Sequence, residues 1–385
     1  MTRTIAVMGR ALDQQDGLGL YARTLLRHLV AMDRQSRYVI LLSSAESAGL
    51  FAAFPNAETR VVRSCTKLLW DQVTVPRAAR AVGADLIFNP KFSVPLITRV
   101  PCVFVLHSAD WYVNPQNYPW WDRLYGRLML PLYCRKARRL LAISHATLAE
   151  LAEHIRLPAE QVTVSYAAVE EHFSPREDMT ALERFRRDYA LPPAFILSVA
   201  RTYHSGHASA PAYPGGNIER LVRAYQRYRR LGGKLPMVIA GHRIDGYLHR
   251  SGFNSADLAD IHFTGFVPNE RMHLAYQSAE CFVLATLCES FGLPILEALA
   301  CGCPAIVPNT CASPEVAGAA ARLIDPRDET SMARALLEVA GSAELRAQMR
   351  ANGLVRARQF TWQETARRTL SVFDAACAES RRVRA

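Results

Sequence analysis

Short apolar runs alternate with amphipathic stretches along almost the whole chain of 385 residues. The apolar runs have the length of strands and the composition of strands buried in a sheet. The stretches between them have helical spacing, for example at 217–231 and 329–339. Alternating strands and helices predict an α/β fold with parallel sheets and helices on both faces. The predicted strands span 4–9, 38–43, 59–63, 86–88, 102–107, 140–144, 162–166, 195–200, 237–240, 262–266, 281–285, 305–308 and 322–324.

The length of the chain exceeds what one ordinary hydrophobic core holds, so two domains are expected. A polar, proline-containing link at 173–178 separates them, which gives domains of 1–174 and 175–360. The last segment, 361–385, predicts a long helix that ends near Glu379. A stretch rich in Ser, Gly, Ala and His at 203–216 interrupts the second domain, and we interpret it as a loop beside a cleft.

Charge and hydropathy narrow the choice of partners. The formal net charge of +11 favours binding of phosphate groups on nucleotides, anionic lipids or nucleic acids. The sequence contains no nucleic-acid-binding motif, so no nucleic acid partner is expected. No apolar stretch reaches the ~18 residues that span a bilayer, and the first residues lack the apolar core of a signal peptide. These features predict a cytoplasmic protein.

The nine cysteines form no Cys-x-x-Cys pair. Cys301 and Cys303 are too close together for the usual zinc site. We interpret them as small apolar residues in a reducing compartment.

Two glutamates, Glu289 and Glu297, flank the junction between an apolar strand and a helix. Pro294 suits the first helical position, and Gly302 suits a left-handed end. Glu289 is thereby placed in the loop and Glu297 in the first helical turn. Loop amides and a helix N-terminus bind anionic oxygens, and carboxylates accept hydrogen bonds from sugar hydroxyls. The helix dipole alone also favours a glutamate in a first turn, so a structural role is the alternative.

The residues around these glutamates carry a longer pattern. The run 289–304 reads Glu-Ser-Phe-Gly-Leu-Pro-Ile-Leu-Glu-Ala-Leu-Ala-Cys-Gly-Cys-Pro, and Ser313-Pro314-Glu315 and 323–326 follow it. This pattern resembles the signature of the retaining glycosyltransferases of family 4. The resemblance implies the GT-B fold, in which two Rossmann-like doubly wound domains face a central cleft and the last helix crosses back to the first domain.

The resemblance also implies roles for the matching residues. Glu289 would hold hydroxyls of the transferred sugar, and Glu297 would bind the nucleotide ribose. The residues between them would bind the sugar and the phosphates, mainly through backbone amides. These residues are Ser290, Phe291, Gly292 and Leu293.

Gly17 and Gly19 follow the first predicted strand and precede a helix expected to open at about Tyr21. Glycines at such a place let the backbone approach a phosphate or a sugar closely. The spacing also satisfies the dinucleotide fingerprint, which leaves an NAD-dependent oxidoreductase as an alternative. The second predicted strand ends without the acidic residue that would bind the ribose of NAD. In the family, this loop lies near the donor phosphates and the acceptor.

His107 ends an apolar strand and is followed by Asp110, where the family carries residues close to the transferred sugar. Arg201 follows the strand 195–200 and resembles the arginine that binds the donor diphosphate, a role that suits a permanently charged, bidentate group. The family keeps a lysine before the asparagine that opens the next helix. Here that position is Gly216, which leaves a sugar-nucleotide-binding protein without transfer activity as a second alternative.

The sequence holds no Asp-x-Asp pair at a plausible strand end, so a metal-independent reaction without a cofactor is expected. The donor would be a nucleotide diphosphate sugar. The whole chain most resembles bacterial mannosyltransferases of surface-polysaccharide synthesis, which favours GDP-mannose and a glycan or lipid-linked glycan acceptor. The segment 118–139 mixes Trp, Tyr, Leu and basic residues, as an interfacial helix does. Packing on the sheet is the alternative to peripheral contact with an anionic membrane.

Overall fold

The computed structural model describes residues 3–14, 16–115, 118–175, 178–200 and 216–384. The chain divides into two compact units. Unit 1 comprises Met1–Ala168 together with Thr361–Ala385, and unit 2 comprises Val169–Phe360. Each unit is built around one parallel sheet.

The sheet of unit 1 has seven strands in the order β3-β2-β1-β4-β5-β6-β7, all paired in parallel. The order reverses between β1 and β4, and ligands of doubly wound sheets bind at such a reversal, beyond the carboxyl ends of the strands. The strands are β1 Thr4–Met8, β2 Arg37–Leu42, β3 Ala57–Val61, β4 Leu86–Asn89, β5 Cys102–Leu106, β6 Arg139–Ala142 and β7 Val162–Val164.

The sheet of unit 2 has six strands in the order β10-β9-β8-β11-β12-β13, again all parallel. Here the order reverses between β8 and β11. The strands are β8 Ile196–Val199, β9 Met237–Ala240, β10 Ile261–Gly265, β11 Cys281–Val283, β12 Ala305–Pro308 and β13 Arg322–Ile324.

Helices connect most of these strands, and their apolar faces cover the sheets. The helices are α1 Gly17–Met32, α2 Lys67–Leu69, α3 Val75–Ala81, α4 Asp110–Val113, α5 Trp120–Lys136, α6 His145–Ala152, α7 Met179–Asp188, α8 Ile218–Arg230, α9 Ile244–Arg250, α10 Asn269–Ser278, α11 Leu293–Ala300, α12 Ser313–Ala317, α13 Glu329–Gly341, α14 Ala343–Ala357 and α15 Trp362–Arg384.

The last helix belongs to the first unit, although the second unit separates them in sequence. Phe373 on α15 packs its ring edge-on against Phe88 of β4, with centroids 4.9 Å apart. At the start of the helix, Thr365 Oγ1 donates a 2.7 Å hydrogen bond to the carbonyl of Tyr166. Burial of Phe373 and of Thr369, both 0% exposed, anchors the helix to unit 1.

The predicted α/β class with two parallel-sheet domains is confirmed. One local prediction was wrong: α1 begins at Gly17 rather than near Tyr21. The side chain of Asp16 caps the helix by accepting from the Gly19 amide at 3.0 Å, which adds the first turn. Among the described residues, none of the helices combines the length and the apolar character needed to cross a bilayer.

Candidate functional site

In unit 2, a loop leads from β11 to α11 beside the reversal of strand order. Gly292 ends this loop in the left-handed region, with φ of 88°. A Cβ at this position would lie 2.9 Å from Ile295 Cδ1, so a larger residue is disfavoured both by backbone conformation and by space. No side chain caps α11 in the described part of the chain. Pro294 has no amide hydrogen, and the Ile295 amide donates to the Gly292 carbonyl at 3.0 Å, so the amides suited to an anionic ligand are those of Gly292 and Leu293.

The position of Glu297 differs from the prediction. Because α11 already begins at Leu293, Pro294 is the second helical residue and Glu297 lies beyond the first turn. The helix ends as expected: Gly302 is left-handed, with φ of 72°, and its amide donates to the carbonyl of Leu299 at 3.0 Å.

A buried tyrosine holds the Glu297 carboxylate. Tyr276 on α10 is 1% exposed, and its hydroxyl donates to Glu297 Oε2 at 2.9 Å. Burial and the neighbouring carboxylate raise the pKa of Tyr276 well above its usual value, so the hydroxyl remains a donor. Fixing one carboxylate oxygen limits the rotation of Glu297.

Glu289 is half-buried, more enclosed than a freely solvated loop residue. Its carbonyl accepts from the amide of Ala312 at 3.0 Å, and Thr310 Oγ1 donates to the carbonyl of Leu287 at 2.9 Å. A disulfide between Cys288 and Cys311 joins the same two loops. The loop that carries Glu289 is thus tied to the loop after β12 by three separate contacts.

The other predicted residues of this loop occupy different environments. Phe291 is buried, and its ring lies edge-on to Phe360 with centroids 6.0 Å apart. Ser290 and Leu293 are half-buried. The Phe291 side chain therefore packs in the core of unit 2, which leaves its backbone as the part suited to ligand contact.

Asn217 is a residue of this region whose importance the sequence analysis missed. It adopts a left-handed conformation with φ of 53° and is 5% exposed. Its Nδ2 donates to the carbonyls of Ala285, at 2.8 Å, and Pro326, at 2.6 Å. These bonds fix Gly216 and the start of α8 beside the end of β11. Arg201 lies outside the described residues, as does most of the 203–216 stretch.

In unit 1, Gly17 and Gly19 form the first turn of α1, after β1. A Cβ at Gly19 would lie 1.9 Å from the carbonyl oxygen of Gln14, so only glycine fits there. Arg23 Nη1 donates to the carbonyls of Leu12 and Gln14 at 2.8 and 2.6 Å. The loop between β1 and α1 is therefore packed closely against its own helix.

His107 follows β5 and is 8% exposed. Its Nε2 lies 2.7 Å from the carbonyl oxygen of Pro90, and the Tyr21 ring stands edge-on at 4.8 Å. Burial lowers the pKa of His107 to about 4, so the ring is neutral at physiological pH. Because a carbonyl only accepts, Nε2 carries the proton. The imidazole can accept a hydrogen bond at Nδ1 but does not supply a positive charge.

Asp110, three residues after His107, lies in α4, and its carboxylate accepts two hydrogen bonds from nearby side chains. Asn114 Nδ2 and the Tyr118 hydroxyl donate to its two oxygens at 2.6 and 2.7 Å. Its carboxylate thus organises the chain around α4.

A group of cations beside the reversal of strand order in unit 1 also escaped the sequence analysis. Arg10 follows β1, Lys91 follows β4, and Lys67 opens α2. They come from three distant segments that only the fold brings into one region, so no local motif signals them.

Two family models match the chain over most of its length: glycosyltransferase family 4 over residues 15–173, and glycosyl transferases group 1 over residues 212–356. The chain carries a glycosyltransferase family 4 domain and a glycosyl transferases group 1 domain. It is a glycosyltransferase, as the sequence predicts, and the NAD-dependent alternative was wrong.

Curated relatives include bacterial mannosyltransferases. O-antigen chain mannosyltransferase B of Escherichia coli is 27% identical over 300 residues, which cover 75% of this chain and 74% of that protein. The MMP alpha-(1->4)-mannosyltransferase of Mycolicibacterium hassiacum is 26% identical over 85% of this chain and 77% of its own length. The match to the serotype-specific mannosyltransferase WbdA of Escherichia coli, 27% identical, covers 62% of this chain but only 29% of WbdA.

Solved structures share the fold at low sequence identity. A glycosyltransferase from Rickettsia africae superposes with a TM-score of 0.75 at 14% identity, over 97% of this chain and 98% of the other. The Anabaena protein HepE, solved in complex with UDP and glucose, gives a TM-score of 0.73 at 14% identity, over 97% and 100%. The GT-B fold predicted from the sequence is confirmed.

Proposed function

We propose that this glycosyltransferase moves a hexose, with retention of configuration, from a nucleotide diphosphate sugar to a glycan or lipid-linked glycan. GDP-mannose is the proposed donor and mannose the transferred sugar, since the relatives named mannosyltransferases match most of the chain. The observation that carries the proposal is the junction at Gly292, where the backbone at the start of α11 is flanked by Glu289 and by the fixed carboxylate of Glu297.

Each group has a proposed role in transfer. Glu289 accepts hydrogen bonds from sugar hydroxyls, and Glu297 accepts them from the nucleotide ribose. The amides of 291–293 receive the sugar and the phosphates, and Arg201 stabilises the departing diphosphate. His107, neutral and buried, contacts the transferred sugar by accepting a hydrogen bond at Nδ1 rather than by giving a proton. The negative charge of the leaving group is met by a guanidinium and by amides, with no metal ion.

The test begins with a thermal-shift panel of GDP, UDP, ADP and NAD on the full chain. We expect GDP to raise the melting temperature most and NAD to have no effect. Transfer and hydrolysis of GDP-mannose are then measured. A protein that binds GDP-mannose but never consumes it, with any acceptor or with water, would be the inactive binding protein suggested by Gly216.

We further propose that α5 contacts an anionic membrane, where a lipid-linked acceptor would be found, so that the enzyme works at the inner face of the cell membrane. One side of this helix exposes an apolar stripe, defined by Trp120, Trp121, Leu124, Leu128 and Leu132, which are 42% to 64% exposed. Spacings of four residues place Trp120, Leu124, Leu128 and Leu132 on one face. Arg127 and Arg135 are exposed on the same helix and would meet anionic headgroups.

Sedimentation with anionic vesicles at low and high salt tests this contact. We expect binding at low salt that falls at high salt, since each basic residue contributes about 1 kcal/mol near an anionic surface. Trp120→Ser with Trp121→Ser should weaken it. Phe266→Ser is the matched control, because Phe266 is a 67% exposed aromatic residue of unit 2, whereas α5 belongs to unit 1. Equal and negligible binding at both salt concentrations would refute the contact.

A further inference from the structure

Two lysines in unit 1 share one aromatic ring. The Nζ atoms of Lys67 and Lys91 lie 5.8 and 5.3 Å from the ring centroid of Phe92. Lys91 comes just after β4, at the reversal of strand order, and also donates to Gln14 Oε1 at 3.1 Å in the loop after β1. The two ammonium groups therefore lie where a doubly wound sheet binds ligands.

Arg10 adds a buried donor whose hydrogen-bonding capacity is unused. It belongs to the turn directly after β1, and its guanidinium carbon lies 5.8 Å from the Trp70 ring. Its Nη1 atom is buried and has no hydrogen-bond partner among the residues that the structure describes. A buried charged donor without a partner is costly and in native proteins marks a place for a water, an ion or a ligand.

Three carboxylates act on these cations: Asp71, Asp16 and, on Lys67, Asp122 of α5. Asp71 and Asp16 are already engaged. Asp71 is 2% exposed and accepts from Ser93 Oγ at 3.0 Å, and burial raises its pKa. Asp16 caps α1. Burial and the charge of Lys67 lower the pKa of Lys91 to about 8, as expected of cations held together without enough counter-charge. An anion bound between them would relieve this repulsion.

The same cations adjoin the apolar stripe of α5. Lys67 Nζ lies 5.6 Å from the ring centroid of Tyr125, which follows Leu124 of the stripe directly in sequence. The Tyr125 hydroxyl is hydrogen-bonded to that of Tyr133 at 2.8 Å, which steadies the ring. A ligand that combines a phosphate with a long apolar chain would find complementary surfaces side by side.

We propose that Arg10, Lys67 and Lys91 form an anion subsite for the phosphate group of a lipid acceptor, whose apolar chain lies along the stripe of α5. The inference rests on the proposed function, since it names the class of acceptor: a lipid phosphate or diphosphate. Arg10 provides a planar donor pair and the lysines provide point charges, a combination suited to phosphate oxygens.

Binding of three probes to the full-length chain tests the subsite: farnesyl diphosphate, inorganic pyrophosphate and farnesol, each measured by calorimetry. We expect farnesyl diphosphate to bind more tightly than pyrophosphate, and farnesol to bind weakly. The double variant Lys67→Gln/Lys91→Gln should weaken farnesyl diphosphate binding by about tenfold or more, and Arg10→Gln should do the same. Leu124→Ser/Leu128→Ser should weaken farnesyl diphosphate binding but leave pyrophosphate binding unchanged.

Matched controls separate charge from folding. Arg80→Gln removes an exposed cation on α3 and should not change binding. Lys91→Arg keeps the charge and should retain most of the affinity, and melting temperatures identify any variant that fails to fold. Equal binding of pyrophosphate and farnesyl diphosphate would mean that the site takes free phosphate, which overturns the lipid assignment. Affinity unchanged in the lysine and arginine variants would overturn the subsite itself.

This test needs neither a nucleotide sugar nor turnover. If no nucleotide shifts the melting temperature but the lysine and arginine variants still weaken farnesyl diphosphate binding, the proposed donor is refuted and the subsite is supported. If GDP-mannose is consumed but the affinity for farnesyl diphosphate is the same in the lysine and arginine variants, the proposed function is supported and the subsite is refuted.

Discussion

The two sheets reverse strand order in the same way but present opposite chemistry there. In unit 2 the reversal carries two glutamates and the start of α11, whereas in unit 1 it carries three cations and a neutral histidine. Carboxylates recognise hydroxyls, and cations recognise phosphates. The same strand topology therefore provides a ligand-binding position in both units, and the loop residues determine which ligand binds there.

Loss of Glu289 should have the largest effect on the side of unit 2. Glu289→Ala removes hydrogen bonds to the transferred sugar, and turnover should fall by about a hundredfold or more. Because the side chain is half-buried in a loop that is also held by a disulfide and backbone contacts, the melting temperature should change little. Glu344→Ala, which removes an exposed glutamate of α14, is the control. Near-normal turnover of Glu289→Ala with GDP-mannose would show that the site is assigned wrongly.

Arg201 is the cation that the unit 2 reversal should require. A departing diphosphate gains negative charge as the glycosidic bond breaks, and Gly216 provides no side chain where the family has a lysine. Arg201→Ala should therefore lower kcat by about tenfold or more while nucleotide affinity falls less. Gly216→Lys should restore part of the loss, and Arg250→Ala, an exposed arginine of α9, should have no effect. Full activity of Arg201→Ala would assign the charge to another group.

The contrast between the units also explains what the sequence could predict. The loop between β11 and α11 is one contiguous run, and its glycine, proline and glutamates stand in fixed order, so its place after β11 could be predicted. The cations of unit 1 are 57 and 24 positions apart along the chain, at 10, 67 and 91. The parallel pairing of β1 with β4 brings Arg10 and Lys91 together, and the position of α2 adds Lys67. No local pattern encodes this arrangement.

Local errors have local causes. The start of α1 was misplaced because the capping carboxylate of Asp16 was not weighed against the helix-breaking glycines. Glu297 was placed in the first turn because Pro294 was taken as the first helical residue, whereas α11 begins one residue earlier, at Leu293. The pairing of Cys288 with Cys311 was missed, since 23 positions separate them and their proximity depends on adjacent strands β11 and β12. Cys301 and Cys303 are buried free thiols, as predicted.

A smaller effect should come from Tyr276, which lies behind Glu297. Tyr276→Phe removes the hydroxyl that holds the carboxylate, so affinity for a nucleoside diphosphate should fall by about fivefold. Affinity for the 2′,3′-dideoxy nucleotide should not change, because that ligand lacks the hydroxyls that Glu297 would bind. Tyr247→Phe is the matched control, since Tyr247 also donates to a glutamate, Glu219. Equal losses for both nucleotides would mean that Tyr276 acts on the fold rather than on Glu297.

Removal of divalent metal ions is expected to leave turnover unchanged. A metal-bound sugar diphosphate needs paired carboxylates at a strand end, and the sequence has no such Asp-x-Asp pair. Of the two glutamates at the unit 2 reversal, Glu297 already receives a hydrogen bond from a protonated tyrosine, an arrangement that suits a hydroxyl better than a cation. Turnover of GDP-mannose in excess EDTA should equal turnover with added magnesium or manganese. If turnover is lost in chelator and restored by metal, a metal ion neutralises the charge of the leaving group. The contrast between the units would then include a metal ion bound beside the glutamates of unit 2.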